Sequence, residues 1–337
     1  MDERYSRQVR FAHIGKTGQQ RIIDSHVLIV GLGALGSQCA ELLVRAGIGH
    51  LYVVDRDYVD VSNLQRQTLY SEQDALQGIP KAIAAKNRLS AINSSIEIKA
   101  FVEDVTPSFL QQFTKVDIII DATDNFDIRF MLNDFAYKYK IPWIYGACVA
   151  SYGVSNTFLP EQQHACLRCL MKKIPLGGTS CDTMGVISSV VSQVVSWQVT
   201  ETLKIIVGDY DALRGTLQSV DLWANDYASI DVRTLVDQSC TSCSSKATYP
   251  YLIEEQQVKV AILCGRDTVQ IRSHHLKNID LQQVKKTVTA SITMANDYLI
   301  AFMDEEQKVV VFLDGRVFIH HTSDMIVAKK IFYRHFS

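Results

Sequence analysis

One turn constrains this chain more than any other stretch. The short apolar run His26–Val30 stops at Gly31, and Gly31-Leu32-Gly33-Ala34-Leu35-Gly36 then opens a segment to Ala46 whose apolar residues recur at helical spacing. Three glycines spaced G-x-G-x-x-G between a strand and a helix allow a tight turn, a close approach of backbone to ligand, and free N–H groups aimed at an anion. Asp55 closes the next strand, 51–54, about twenty residues further on, where a carboxylate can hold ribose hydroxyls. Gly31, Gly33, Gly36 and Asp55 therefore point to an adenine nucleotide. They do not separate NAD from ATP, and a turn that only packs tightly is the alternative.

From His26 onward strands and helices alternate. Strands are predicted at 26–30, 51–54, 96–101, 116–121 and 142–146, and helices at 35–46, 81–91, 107–113 and 126–139. Near-continuous apolar strands such as Val116-Asp117-Ile118-Ile119-Ile120 belong to a parallel sheet covered on both faces. Crossovers in such a sheet are right-handed, and ligands bind beyond the carboxyl ends of the strands. Gly31, Asp55 and the stretch Asp121–Asn125 all fall at such ends, so they can converge. A strand at 152–159, a cysteine-containing loop, a long apolar helix at 186–207 and antiparallel strands within 215–236 follow. Cys240 to Pro250 reads as a serine-rich linker, and the last unit has strands, two helices and the turn Asp314-Gly315. The expected fold is α/β: a Rossmann-like, mostly parallel sheet with helices on both faces, then antiparallel strands and a small α+β C-terminal unit. The expected domains are 1–249 and 250–337.

At 337 residues, 47% hydrophobic and 21% charged, the chain has the composition of a soluble globular protein with a sizeable core. A formal net charge of -2 gives no general attraction to nucleic acid or to an anionic membrane. The start of the chain has no apolar signal region, and no apolar run is long enough to span a bilayer, so a cytoplasmic location is expected. Gly15-Lys16-Thr17 imitates a nucleoside triphosphatase loop, but Arg10 stands where that loop needs another glycine.

Asn63, Arg66, Gln67 and Lys81 lie after the second strand, with Asp124 and Asn125 across the sheet. Hydride transfer needs a nicotinamide pocket and a proton donor, whereas ATP cleavage needs cations around phosphates and a carboxylate for magnesium. This group has the second composition. Lys81 follows Pro80, a residue suited to a helix start, so its ammonium projects from an end already favourable to anions. Any one of these charges alone would read as a solvated surface residue.

The pairs Cys166-Leu167-Arg168-Cys169 and Cys240-Thr241-Ser242-Cys243 match a closed four-cysteine structural zinc site, with free buried thiols as the alternative. Eight cysteines in a long chain without a signal peptide favour metal or thiol chemistry over a disulfide framework. Cys181, in Gly177-Gly178-Thr179-Ser180-Cys181-Asp182, precedes the long helix, where a thiol pKa can fall; the residues leave open a nucleophile or an ordinary loop cysteine. Cys39 and Cys148 read as core thiols, and His274-His275 and His320-His321 as surface or edge-strand residues.

Across about residues 4–245 the chain resembles the ThiF and MoeB family of sulfur-carrier adenylyltransferases, relatives of the ubiquitin-activating enzymes. The resemblance is carried by Arg4-Tyr5-Ser6-Arg7-Gln8, the glycine turn, Asp55-Arg56-Asp57 and Ser62-Asn63-Leu64-Gln65-Arg66-Gln67. Pro80-Lys81, Asp121-Ala122-Thr123-Asp124-Asn125, both cysteine pairs and Cys181 complete it. It implies an enzyme that uses ATP and Mg2+ to adenylate the C-terminal glycine carboxylate of a ubiquitin-like carrier, ThiS-like or MoaD-like, for thiamine or molybdopterin synthesis. It further implies that Asp55 holds the ribose, that Asn63, Arg66 and Lys81 line the phosphates, and that Asp124 coordinates magnesium. Arg7 would enter the neighbouring subunit's site in a homodimer, Cys181 would serve a later sulfur-transfer step, and a cysteine desulfurase is an expected sulfur donor. Some relatives carry a sulfurtransferase domain after the core, but Cys264 lies at the start of this unit and not in a catalytic loop. A tRNA-modifying relative of the same fold and an NAD-dependent oxidoreductase are the alternative functions.

Overall fold

A computed structural model describes residues 3–162, 164–173, 184–253, 259–263, 267–272, 279–288 and 290–336. The first sheet contains β1 (His26–Val30), β2 (His50–Val54), β3 (Glu97–Phe101), β4 (Ile118–Asp121), β5 (Trp143–Val149), β6 (Tyr152–Phe158), β7 (Leu217–Asp221) and β8 (Asp226–Ile230). Its order is β3-β2-β1-β4-β5-β6-β7-β8. The first five are parallel, and β6 to β8 extend the sheet antiparallel.

Side chains alternate across each strand, so an apolar strand feeds two cores. Val27 and Ile29 of β1, with Ile118 and Ile120 of β4, pack under the helices Ala34–Ala46, Lys81–Ile92 and Ser188–Val207. Leu28, Val30 and Ile119 point the other way, against Phe109, Phe113, Leu132 and Phe135 of the opposite helical layer. Each fully buried aliphatic side chain contributes roughly 1.5–3 kcal/mol, which is why every position of 27–30 and 118–120 is aliphatic, with polar His26 only half-buried at the start of β1 and Asp121 at the end of β4. Because β1 lies between β2 and β4, the chain winds outward from it in both directions, leaving a crevice beyond the ends of β1 and β4.

The second sheet is antiparallel throughout: β9 (Lys259–Leu263), β10 (Thr268–Arg272), β11 (Ile292–Ala295), β12 (Leu299–Asp304), β13 (Gln307–Phe312) and β14 (Arg316–His320), in the order β11-β12-β13-β14-β10-β9. The helices Leu281–Thr287 and Met325–Phe336 cover one face through Leu281, Val284, Ala328, Ile331 and Phe332. The other face presents Leu299, Ala301, Val310, Phe312 and Phe318 to Tyr58 of the first unit.

The segment 240–250, expected as a serine-rich linker, is folded into the first unit: Ser244 N–H donates to the Cys240 carbonyl, Thr248 and Tyr249 N–H to the Thr241 carbonyl, and Cys240 and Ser242 are buried. Its serine content reflects tight turns, in which short hydroxyl side chains compete for backbone groups. Among the described residues, no helix is long and apolar enough to cross a membrane.

Candidate active site

The glycine turn sits at the crevice. Gly31 has φ +88°, and a Cβ there would stand 2.7 Å from the Ala122 carbonyl oxygen, so β1 and β4 leave the sheet in contact. A Cβ on Gly36 would lie 1.9 Å from the Gly31 carbonyl oxygen, which only glycine tolerates. Gly33 differs: the nearest atom to its added Cβ is Gln67 Nε2 at 3.9 Å. The middle glycine thus faces open space at the start of the Ala34–Ala46 helix, where backbone N–H groups favour an anion. Buried Tyr70 fixes this turn by donating its hydroxyl to the Leu32 carbonyl at 2.7 Å.

Asp55 ends β2 beside it. Its two carboxylate oxygens accept the N–H groups of Leu32 (2.6 Å) and Asp57 (2.7 Å), tying the glycine turn to the acidic strand end. Burial pushes the Asp55 carboxyl above the ordinary carboxylate range; Lys81 pulls it back and Asp57 adds to the push. Lys81 is itself buried, with Nζ 3.1 Å from Asp57 Oδ2 and its backbone N–H on the Asp57 carbonyl at 2.9 Å. Asn63 and Gln67 are buried on the intervening loop. Asn63 Oδ1 accepts the Asp60 N–H in a capping box, and half-buried Arg66 donates to the Ser62 carbonyl. Gln67 Oε1 is buried with no hydrogen-bond partner. An orphaned buried amide oxygen beside an open glycine turn is a group waiting for a polar ligand.

At the end of β4, Asp121 is fully buried, accepting from the Thr123 N–H and hydroxyl with Arg129 3.3 Å away. Burial raises its pKa against the pull of Arg129. Asp124 is exposed at the crevice, and its charge helps hold the protons on Arg56 and Arg129. Asn125 caps the helix Phe126–Tyr139 by accepting the Asp127 and Ile128 N–H groups, so its carbonyl is committed to the fold.

Two sequence candidates stand apart. Arg7 lies in the helix Ser6–Val9, whose neighbour Gln8 donates to the Ala46 carbonyl at the far end of the Ala34–Ala46 helix from the glycine turn. Cys181 lies outside the described residues, as does Cys264.

The two cysteine pairs do come together. Cys166 Sγ is 3.8 Å from Cys169 Sγ and 3.5 Å from Cys240 Sγ, and Cys169 Sγ is 3.5 Å from Cys243 Sγ. Four sulfurs held at about 2.3 Å from one tetrahedral zinc would stand about 3.8 Å apart, so the donor set fits a closed structural site. The Asp237 and Ser242 N–H groups donate to the sulfurs of Cys169 and Cys240 at 3.4 Å, which favours thiolates. Asn133 and Asp134, both buried on the Phe126–Tyr139 helix, hold the surrounding loops: Asn133 accepts the Leu167 N–H, and Asp134 accepts the Ser242 hydroxyl and the Tyr251 N–H.

Sequence reasoning missed Asp57, Gln198 and Asp104. Asp57 stands in the motif Asp55-Arg56-Asp57 with no local sign of its role, yet it is the partner of Lys81. Gln198 donates to the Asp121 carbonyl from the long helix, and its side chain occupies the space a Gly146 Cβ would need. A polar residue at a core position of an apolar helix was the available signal.

A sequence profile of the ThiF family matches residues 5–242. Over 337 residues, and 99% of each chain, the sequence is 44% identical to the sulfur carrier protein ThiS adenylyltransferase of Bacillus subtilis (strain 168). It is 32% identical over 243 residues to the molybdopterin-synthase adenylyltransferase of Escherichia coli (strain K12), covering 71% of this chain and 95% of that one. Among solved structures, E. coli MccB with ATP matches with a TM-score of 0.61 at 21% identity, over 72% of this chain and 75% of that chain. An identity that low speaks to fold alone.

Proposed function

Because this chain belongs to the ThiF family, we propose that it is an ATP-dependent adenylyltransferase that activates the C-terminal glycine carboxylate of a ubiquitin-like sulfur carrier. The observation that carries this reading is the buried Lys81–Asp57 pair at a helix start, facing an open glycine turn and the unpartnered Gln67 oxygen. A buried cation at a helix start, open backbone N–H groups and an unpartnered amide oxygen suit a polyphosphate. The carrier is of the ThiS type, which the 44% identity over both full lengths to the B. subtilis ThiS adenylyltransferase supports over the molybdopterin-synthase relative at 32%.

In the reaction the carrier's carboxylate attacks the α-phosphorus of ATP, an acyl–phosphate bond forms, the α–β bridge breaks, and pyrophosphate leaves. Asp55 takes the ribose hydroxyls. The N–H groups after Gly33, with Asn63, Arg66, Gln67 and Lys81, surround the phosphates, so that cations already in place offset charge that two approaching anions would otherwise oppose. Asp124, exposed at the crevice, is the carboxylate suited to hold magnesium, which would neutralise the leaving pyrophosphate. Zinc fits Cys166, Cys169, Cys240 and Cys243 and pins the end of the nucleotide unit without taking part in the chemistry.

We assign Arg7 to the site of a second copy, since it stands away from its own chain's turn; a monomer in sedimentation at assay concentration removes that assignment. Cys181 remains the candidate for later sulfur transfer from a cysteine desulfurase, which an unchanged thiocarboxylate yield from Cys181→Ser would reject. We retain the division into 1–249, bearing both sites, and 250–337. A cytoplasmic setting suits a reaction that consumes ATP.

The direct test is carrier-dependent ATP–pyrophosphate exchange with a purified ThiS-like carrier. Lys81→Ala or Asp124→Ala should reduce exchange by at least about 10²-fold, the scale of losing one preorganised charge partner. Retained exchange sinks the assignment.

A further inference from the structure

The C-terminal sheet lies outside the residues matched by the family profile, yet it reaches the walls of the candidate ATP site. Arg316, the first residue of β14, is fully buried. Its Nε donates to Asp314 (2.5 Å), one terminal nitrogen to the Arg56 carbonyl (2.8 Å), and the other to the Val102 carbonyl (3.3 Å). Phe312 and Phe318 flank its guanidinium with ring centres 4.6 and 5.8 Å away. Arg56 directly follows Asp55, and Val102 directly follows β3, whose Phe101 carbonyl accepts the Asp55 N–H. One side chain of the second sheet thus fastens two adjacent strand ends of the first.

Three more contacts surround this one. Asp104 accepts from Arg56 (3.2 Å) and Gln270, with Arg272 3.8 Å away. The Tyr58 hydroxyl lies 3.2 Å from His320 Nε2 and 3.4 Å from Lys308 Nζ. Asn296 Nδ2 donates to the carbonyls of Gln77 (3.0 Å) and Gly78 (3.3 Å), just before Pro80 and Lys81. The second sheet therefore grips both flanks of the Lys81–Asp57 pair, at residue 56 on one side and at residues 77 and 78 on the other.

We propose that the C-terminal sheet positions the ATP site, with Arg316 and Asn296 as positioning residues that set where Asp55, Asp57 and Lys81 stand. This rests on the adenylyltransferase reading. Neither residue touches the nucleotide; each acts through backbone carbonyls next to residues that do. Losing the hold on Arg56 loosens the ribose carboxylate, an interaction made equally before and during reaction, so it raises the KM for ATP.

The test titrates ATP with magnesium into the full-length chain by calorimetry and measures exchange kinetics on the same samples. Arg316→Met fills the slot between Phe312 and Phe318 without donors. It should raise the Kd and KM for ATP about tenfold, as expected from losing charged hydrogen bonds that are partly transmitted, and leave the KM for the carrier unchanged. Arg316→Lys, able to satisfy one carbonyl at a time, should fall between. Asn296→Asp keeps the acceptor for the Tyr298 and Leu299 N–H groups and replaces only the donor facing Gln77 and Gly78. It provides a second reading if Arg316→Met does not fold, and should weaken ATP several-fold. A merely structural role would shrink the active fraction and leave the KM for ATP where it was. Wild-type chain that binds no ATP overturns both this inference and the function it rests on. Wild-type chain that binds ATP, with folded variants of the same Kd, overturns the positioning role alone.

Discussion

At the scale of single residues, the site holds groups in states that only a ligand would relieve. Gln67 Oε1 is buried without a partner, and leaving a polar atom so costs about 1–3 kcal/mol. Gln67→Met, similar in volume and without that oxygen, should therefore stabilise the ligand-free chain by about 1 kcal/mol while weakening ATP. Denaturant unfolding with and without ATP checks it: a variant that is more stable alone and gains less from ATP is expected, and equal gains would remove Gln67 from the nucleotide contacts. Which residues were visible in the sequence follows from how local their partners are. Lys81 announces itself through Pro80, and Asp55 through its distance from the glycines. Asp57 does not, because its meaning is its contact with Lys81, and only the fold makes that contact.

At the scale of elements, the glycine turn and the alternating strands were legible because each side chain's environment is set by the next few residues. β1 falls at the predicted 26–30, and the helix at 126–139 likewise. The turn-rich stretch 240–250 was not, because its order comes from sulfurs and N–H groups gathered from across the chain. The Phe126–Tyr139 helix supplies much of that order through Asn133 and Asp134. If zinc occupies the four cysteines, stripping it with a chelator leaves close-packed thiols competing for protons, and metal binding energy of this kind is folding energy. Chelation should lower the melting temperature by at least about 5 °C, as even a fraction of a structural site's binding energy would. Restoring zinc should recover it. Metal analysis that finds no zinc in the purified chain would overturn the assignment of the cluster.

At the scale of the whole molecule, two sheets meet through Tyr58, Asp104 and Arg316. Little of this could be read in advance: the bond from Arg316 to the Arg56 carbonyl spans 260 positions, and that from Gln270 to Asp104 spans 166. No local pattern encodes such a pairing; an arginine in a strand looks like a solvent-facing residue until the facing surface is known. Burial alone would push the Asp104 carboxyl up, but Arg56, Arg316 and Arg272, with the Gln270 amide, hold it below the usual carboxylate range. A carboxylate depressed in the folded state contributes stability that is complete above its unfolded pKa near 4 and lost as pH falls through the folded value. Asp104→Asn should therefore cost about 3 kcal/mol at neutral pH, the scale of a broken buried ion pair. Its deficit relative to the wild type should shrink as pH falls below about 4. Urea unfolding at successive pH values measures the gap, and a gap independent of pH would contradict the role given to the Asp104 charge.

The buried face of Tyr58 bears on how the chain can be dissected. Residues after Pro250 look separable on paper, but cutting there would leave Tyr58 facing water and the Arg56 and Val102 carbonyls without their donor. It would also strip Asp104 of Gln270, Arg272 and Arg316. A truncated protein would report on a wounded surface rather than on a core freed of an accessory. Any experiment that assigns a task to the last quarter of the chain by removing it needs the exposed seam redesigned for solvent first.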